Sequence, residues 1–220
     1  MPIRKIPKNH LVVTGSFASC KNDQMDAFES LLEKEYMLLL EFDERVLRFE
    51  PQPVTIAVPG IPKGYVPDVL VHYHPDPISG KIPKSLLTEV KHTDDLQRNA
   101  QKYAPKFALA EEYASECGWE FRITTQVDIR TPLLANLKFL REYRNIEPAN
   151  QDSLGLIQIV RGNGGLSSVE SLLERLAVTD DDRLHWLPII WHAVVTRGLL
   201  TDWDQPINND TVLQLPEDVI

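Results

Sequence analysis

Cysteine is scarce in this sequence of 220 residues, which contains only Cys20 and Cys117. The two lie far apart and neither has a neighbouring cysteine to complete a zinc site, so we expect both to be reduced and structural. Long apolar runs are also missing, because no stretch approaches the roughly 18 uninterrupted apolar residues of a membrane helix. The first residues lack the apolar stretch of a signal peptide. The sequence therefore predicts a cytoplasmic protein with no membrane partner.

Positive charge is in short supply as well, and the formal net charge is −9 at pH 7. From Leu166 to Ile220 the chain has ten acidic residues, three arginines and no lysine, so most of the excess negative charge lies in this tail. Because lysine and arginine make most phosphate contacts, we expect the tail to bind a protein rather than nucleic acid. Residues 1–22 form a basic arm that contains Arg4, Lys5 and Lys8.

Apolar periodicity and turn residues predict one main α/β domain over residues 23–146. We expect it to begin with a helix, continue through short strands, and end with a helix, a strand and a closing helix. The predicted elements are, in order, helix Asp23–Glu44, strands Val46–Phe49, Val54–Val58, Val66–Tyr73 and Leu86–Lys91, helix Asp94–Glu116, strand Glu120–Thr124 and helix Pro132–Tyr143.

The C-terminal region, residues 147–220, begins with a linker and is expected to be mostly helical. Helices are predicted over Ser167–Leu176 and Arg183–Arg197, and Gly198–Leu215 is predicted to be an extended wing. This order indicates a small winged-helix-like unit.

Two predicted strands carry charged residues among apolar ones. Pro67-Asp68 lies in the first, and Glu89-Val90-Lys91 lies in the second. Alternate side chains of a strand share a face, so Glu89 and Lys91 point to the same side. If the Asp68 strand pairs beside them, two carboxylates converge on a volume suited to a hard divalent cation, with Lys91 within reach of an attacking water. Phosphodiester hydrolysis needs such a set, because negative charge builds on the phosphate oxygens.

A third carboxylate is available on the first predicted helix, which carries Glu29, Glu33, Glu35 and Glu41. Periodicity alone does not choose among these four. Glu33 lies close to the boundary between the apolar stripe and the solvated face, where a helix carboxylate can reach a metal at a strand edge.

Simpler interpretations exist for each of these patterns. Pro-Asp pairs and Glu-x-Lys triplets are common as turns and ion pairs, although a charge inside an apolar strand is costly without a function. His72-x-His74 has the spacing of a zinc site but runs into a proline-rich hairpin where exposed histidines are ordinary. His92 is either a phosphate contact or an ordinary strand-end residue. Gly162–Gly165 lacks the lysine of a phosphate-binding loop and is interpreted as a hinge.

A longer set of residues carries a family resemblance, and it spans roughly Asn22 to Arg144. These residues are Phe28 through Tyr36, Leu40-Glu41-Phe42-Asp43, Val46, Gln52-Pro53, Pro67-Asp68 and Glu89-Val90-Lys91. Together they resemble the TnsA endonuclease subunit of heteromeric, Tn seven-like transposases, which belongs to the PD-(D/E)xK restriction-endonuclease-like superfamily. The resemblance implies an α/β fold with a mixed central sheet flanked by helices.

The resemblance also implies an active site. The helix glutamate of the family falls on Glu33, the strand aspartate on Asp68 and the lysine on Lys91, with Glu89 two positions before the lysine. All four would be catalytic, and the three carboxylates would be metal ligands. The implied cofactor is Mg²⁺, for which Mn²⁺ can substitute.

The implied substrate is double-stranded DNA at the transposon ends, cut at the 5′ ends of the element. A DDE transposase, TnsB, would cut and join the 3′ ends, and the C-terminal region would contact the AAA+ ATPase TnsC, which fits the acidic tail. We expect the assembly to act on the nucleoid in the bacterial cytosol. Some relatives work with a CRISPR-guided targeting complex, and both routes of target selection stay open for this chain.

Two other functions stay open from the sequence. One is a restriction or repair nuclease of the same fold that acts alone, although the acidic tail counts against tight solitary DNA binding. The other is a non-catalytic adaptor between a transposase and its regulator, although the intact set of Glu33, Asp68, Glu89 and Lys91 speaks against it.

Overall fold

The computed structural model describes residues 13–23 and 25–217. The chain divides into two compact units, one that ends at Arg130 and one that begins at Thr131. The predicted basic arm with Arg4, Lys5 and Lys8 lies outside the described residues. Cys20 and Cys117 are both free, as expected of reduced cysteines, and both are exposed.

The first unit is built on a mixed four-stranded sheet, which agrees with the predicted fold class. Its strands are β3 (Val46–Pro51), β6 (Val69–Tyr73), β7 (Leu86–Lys91) and β8 (Glu120–Thr125), and they lie side by side in that order. The two pairs β3–β6 and β6–β7 are antiparallel, whereas β7 and β8 are parallel. The predicted strands around Asp68 and Glu89 are therefore neighbours.

Helices cover both faces of this sheet. The hydroxyl groups of Tyr36 on helix α1 (Leu31–Phe42) and Thr88 on β7 lie 3.3 Å apart. Leu87, whose side chain points the opposite way, packs with Ala110 and Ala114 of helix α3 (Ala100–Glu116). Strand β7 is thus almost completely buried, and a charged side chain on it sits in protein rather than in water.

The first helix is shorter than predicted. It begins at Leu31 because the Ser30 side chain caps it by accepting a hydrogen bond from the backbone N–H of Glu33. The residues before it do not continue the helix, since β2 (Asp26–Phe28) pairs with β1 (Gly15–Phe17) as a small antiparallel ribbon. The predicted start at Asp23 was wrong.

A second hairpin joins β4 (Ile56–Val58), which falls within the predicted strand Val54–Val58, to β5 (Ile61–Tyr65), which was not predicted. Gly64 makes the pairing possible, because its φ is +67° and a Cβ there would lie 2.6 Å from the backbone oxygen of Ile56. The hairpin brings Tyr65 into the core beside Leu70 and Leu87.

The predicted helix from Asp94 is broken into α2 (Thr93–Arg98) and α3. The break falls at Asn99, whose side chain donates a hydrogen bond to Asp95 Oδ1 at 2.7 Å and leaves the helical conformation. Strand β8 is followed directly by the short helix α4 (Gln126–Ile129), which completes the first unit.

The second unit is mainly helical, with a small sheet. It contains α5 (Pro132–Leu140), a 3₁₀ helix (Arg141–Asn145), α6 (Asn150–Gly162), β9 (Leu166–Ser168), α7 (Val169–Leu176), α8 (Asp180–Val195) and β10 (Val212–Gln214). β9 and β10 are antiparallel, and Leu200 forms a further bridge to Gln214. β9 lies before α7 and α8 in the chain and β10 lies after them, and the winged-helix-like unit stays a prediction.

The boundary between the units differs from the predicted one near residue 146. Helix α5 belongs to the second unit, because Phe139 makes an edge-on ring contact with the buried Trp191 of α8 at 5.4 Å between centroids. Helix α6 was not predicted at all. Gly164 and Gly165 have positive φ values and turn the chain from α6 into β9. Within the described residues, no helix has both the length and the apolar character required to cross a membrane.

Candidate active site

Three of the four predicted site residues meet where β6 and β7 lie together. Asp68 immediately precedes β6, and its backbone N–H donates to Thr88 O at 3.1 Å. Its carboxylate oxygen Oδ2 accepts the backbone N–H of Val90 at 2.7 Å. These two hydrogen bonds fix Asp68 against β7, the strand that carries Glu89 and Lys91.

The ammonium group of Lys91 lies between the two strand carboxylates. Its Nζ is 2.7 Å from Glu89 Oε1 and 3.3 Å from Asp68 Oδ2. Burial lowers the pKa of Lys91, but the negative charges of Asp68 and Glu89 outweigh burial and hold this pKa above its ordinary value. Lys91 is therefore a fixed positive charge at neutral pH.

The pKa values of the two carboxylates, Asp68 and Glu89, are both raised above their ordinary values. Burial raises the pKa of Glu89 to about 7, and the charge of Asp68 adds to the effect, while Lys91 opposes it. Burial likewise raises the pKa of Asp68, although the ammonium of Lys91 and the N–H of Val90 act in the opposite direction. A buried carboxylate with a raised pKa is stabilised when it binds a cation.

Glu33 lies in the first turn of α1 and is 8% exposed. One carboxylate oxygen accepts the backbone N–H of Glu29 at 2.8 Å and the other accepts the hydroxyl of Ser30 at 2.9 Å. Burial raises the pKa of Glu33 to about 7, and the nearby charge of Asp68 adds to the effect. Glu33 thus belongs to the same electrostatic site as Asp68, although no hydrogen bond joins it to the other three residues in the described part of the chain.

Two residues outside the four predicted site residues also contribute to this site. The hydroxyl of Tyr65 donates a hydrogen bond to Glu89 Oε2 at 2.6 Å. Gln52 donates its backbone N–H to Asp68 O at 2.8 Å and its side-chain amide to Glu29 Oε1 at 3.0 Å. Gln52 is buried with a φ of +48°, which is unusual for a residue other than glycine and is typical of functional sites.

The oxygen donors of the site fit a hard divalent cation, but they are not all gathered into one ligand set. Within residues 13–23 and 25–217, no three or more histidine, cysteine, aspartate or glutamate side chains form a group that could hold a metal. Asp68 and Glu89 are the pair that fits best, because they share one ammonium and their pKa values are both raised. Both oxygens of Glu33 accept hydrogen bonds, from the backbone N–H of Glu29 and the hydroxyl of Ser30, and both oxygens of Glu89 likewise have partners.

Of the two histidines that were considered as a weaker zinc candidate, only His72 has hydrogen-bond partners for its ring in the described part of the chain. The two ring nitrogens of His72 lie 2.9 Å from Ser85 Oγ and 3.1 Å from Glu50 Oε1. His74 is exposed at the start of the connection between β6 and β7. His92 is exposed directly before α2.

A mixed sheet flanked by helices, with an aspartate directly before one strand and a glutamate and a lysine on the neighbouring strand, is consistent with the architecture of the restriction-endonuclease-like nucleases. Residues 43–126 match the family described as TnsA-like endonuclease N terminal, and residues 128–203 match the one described as TnsA endonuclease C terminal. The chain belongs to the TnsA endonuclease family. Asp68, Glu89 and Lys91 lie inside the first match, whereas Glu33 lies before it. No curated protein matches the chain.

Proposed function

We propose that this chain is a Mg²⁺-dependent DNA endonuclease subunit of a heteromeric transposase, and that it cuts the 5′ ends of the element. The observation that carries the proposal is the ammonium of Lys91 between the carboxylates of Asp68 and Glu89. The TnsA family match supports the endonuclease and its role in transposition.

Each residue of the site has a separate role in this proposal. Asp68 and Glu89 would hold the cation, and Glu33 would add negative charge at the same place. Lys91 stays protonated and lies where it can orient the attacking water or neutralise charge on the phosphate. When bound, Mg²⁺ stabilises negative charge on the phosphate oxygens and makes a bound water more acidic, and Mn²⁺ can supply the same chemistry.

The proposed partners follow from the family and from the distribution of charge. Double-stranded DNA at the transposon ends is the substrate, and a TnsB-like DDE transposase supplies the 3′ cuts. We assign the contact with a TnsC-like AAA+ ATPase to the C-terminal region, residues 147–220, where acidic residues outnumber basic ones and are unsuited to DNA phosphates. Target selection through a CRISPR-guided complex or through a DNA-binding protein is compatible with the same subunit.

The proposal is tested on end-labelled donor DNA incubated with this protein, its cognate transposase and ATPase, and Mg²⁺. We expect cuts at the 5′ ends that depend on Mg²⁺ and disappear with Asp68→Asn, while the 3′ cuts of the transposase remain. Cuts that occur without the two partners would favour a nuclease that acts alone. If Asp68→Asn supports complete excision at the wild-type rate, the chain is an adaptor and the proposal is wrong.

A further inference from the structure

The buried hydroxyl of Tyr65 has one hydrogen-bond partner in the described part of the chain, and that partner is the candidate catalytic carboxylate Glu89. Tyr65 is 6% exposed and Glu89 is 3% exposed, so water does not compete for this bond. At 2.6 Å it lies at the short end of the range for hydrogen bonds between two oxygens.

Tyr65 is held from several sides, so its hydroxyl cannot easily turn away. Its ring packs in the core with Leu87 and Ala110 and lies 6.4 Å from the ring of Phe107. The ammonium of Lys106 lies over the ring at 5.8 Å from its centroid. The attraction between this cation and the face of the ring adds to the contacts that hold Tyr65 in place.

The chemistry of Tyr65 suits a permanent donor. Burial raises the pKa of the Tyr65 hydroxyl, and the charge of Glu89 raises it further. The hydroxyl therefore keeps its proton and does not act as a base. Both carboxylate oxygens of Glu89 therefore have a partner: Tyr65 donates a hydrogen bond to Oε2, and the ammonium of Lys91 contacts Oε1.

We propose that Tyr65 is a positioning residue that fixes the orientation of Glu89 for a divalent cation. The inference rests on the proposed function, since it assumes that Glu89 is a metal ligand. Hydrogen-bond partners that orient metal ligands commonly change metal affinity by about 10- to 100-fold when they are removed. Tyr65→Phe removes the hydroxyl and keeps the ring in the core, so it isolates this bond.

The first test measures Mn²⁺ binding to the metal-free full-length protein by electron paramagnetic resonance of the free ion. We expect Tyr65→Phe to raise the half-saturating Mn²⁺ concentration about tenfold or more. The matched control is Tyr103→Phe, which removes a hydroxyl that donates to Asp95 from a ring stacked on the same Phe107. This control should bind Mn²⁺ as the wild type does.

A double-mutant cycle with Glu89→Gln shows whether Tyr65 acts through Glu89. On the Glu89→Gln background, Tyr65→Phe should change Mn²⁺ binding no further. Equal effects of Tyr65→Phe on both backgrounds, or wild-type binding by Tyr65→Phe, would overturn the inference. A Tyr65→Phe chain that does not fold would make the hydroxyl a requirement of the core and would also overturn it.

Cleavage in the assembled reaction separates this inference from the proposed function. We expect 5′ cutting by Tyr65→Phe to be weak at low Mg²⁺ and to recover as Mg²⁺ is raised, which a general loss of structure would not produce. If the wild type makes no 5′ cuts with its partners, the proposed function fails whatever Tyr65 does. If the wild type cuts and Tyr65→Phe follows the same Mg²⁺ curve, only the Tyr65 inference fails.

Discussion

Glu33→Gln should make the metal-free protein more stable at alkaline pH, even though it removes a candidate catalytic residue. Burial and the charge of Asp68 raise the pKa of Glu33 from its ordinary value of 4.5 to about 7. The folded protein therefore binds this proton more tightly than the unfolded chain does, and stability falls as pH rises from about 4.5 to about 7. Above about pH 7 Glu33 is ionised in both states, and the loss of stability reaches its full size.

The size of the effect follows from the pKa difference. Each unit of difference between the pKa of the folded state and that of the unfolded state corresponds to about 1.4 kcal/mol. Ionised Glu33 therefore lowers the free energy of unfolding by up to about 3 kcal/mol. Glutamine has nearly the same shape and can accept the N–H of Glu29 while it donates to the hydroxyl of Ser30. The substitution therefore removes the charge while both local hydrogen bonds remain possible.

The assay is urea denaturation in the presence of EDTA at pH 5 and pH 8. We expect Glu33→Gln to increase the free energy of unfolding by about 1–3 kcal/mol at pH 8 and to change it much less at pH 5. The matched control is Glu112→Gln, which alters an exposed glutamate on α3 and should have no effect at either pH. A Glu33→Gln protein that is less stable than wild type at pH 8 would refute the reasoning.

Three further predictions concern other parts of the chain. Gly64→Ala should destabilise the protein by about 1–3 kcal/mol in urea denaturation, because of the positive φ and the close backbone oxygen of Ile56; wild-type stability would contradict this. Asn136→Ala should lower stability by about 2–4 kcal/mol in thermal unfolding, because the buried Asn136 amide bonds to three backbone groups over residues 203–207. An unchanged melting temperature would argue against it. Asp68→Asn should weaken Mn²⁺ binding by at least about tenfold in a spin-resonance titration, and equal binding would remove Asp68 from the ligands.

The sheet and three residues of the site could be predicted because their signals are local. Alternation in β7 predicted that Glu89 and Lys91 share a face, and the structure joins them at 2.7 Å. A charged residue in an apolar strand is visible without knowledge of the fold, which is why Asp68 was also found.

The elements that the sequence did not predict depend on contacts between distant residues. Strand β5 (Ile61–Tyr65) contains a proline and a glycine, so its pattern is not that of a strand, and it forms by pairing with β4. Tyr65 was overlooked for the same reason. The first helix was extended back to Asp23 because the spacing of Phe28 fits a helix, yet Phe28 pairs with Gly15 in the β1–β2 ribbon. Helix α6 was missed between Pro148 and Gly162, which were interpreted as a linker and a hinge.

The most direct test of the central claim is strand-specific end mapping of donor DNA with Lys91→Ala in the assembled reaction. Lys84→Ala is the matched control, because Lys84 is an exposed lysine in the connection between β6 and β7. We predict that Lys91→Ala abolishes the 5′ cuts and leaves the 3′ cuts of the transposase intact, while Lys84→Ala preserves both. If the 5′ cuts persist with Lys91→Ala at the wild-type rate, the ammonium between Asp68 and Glu89 is not catalytic and the assigned active site is wrong.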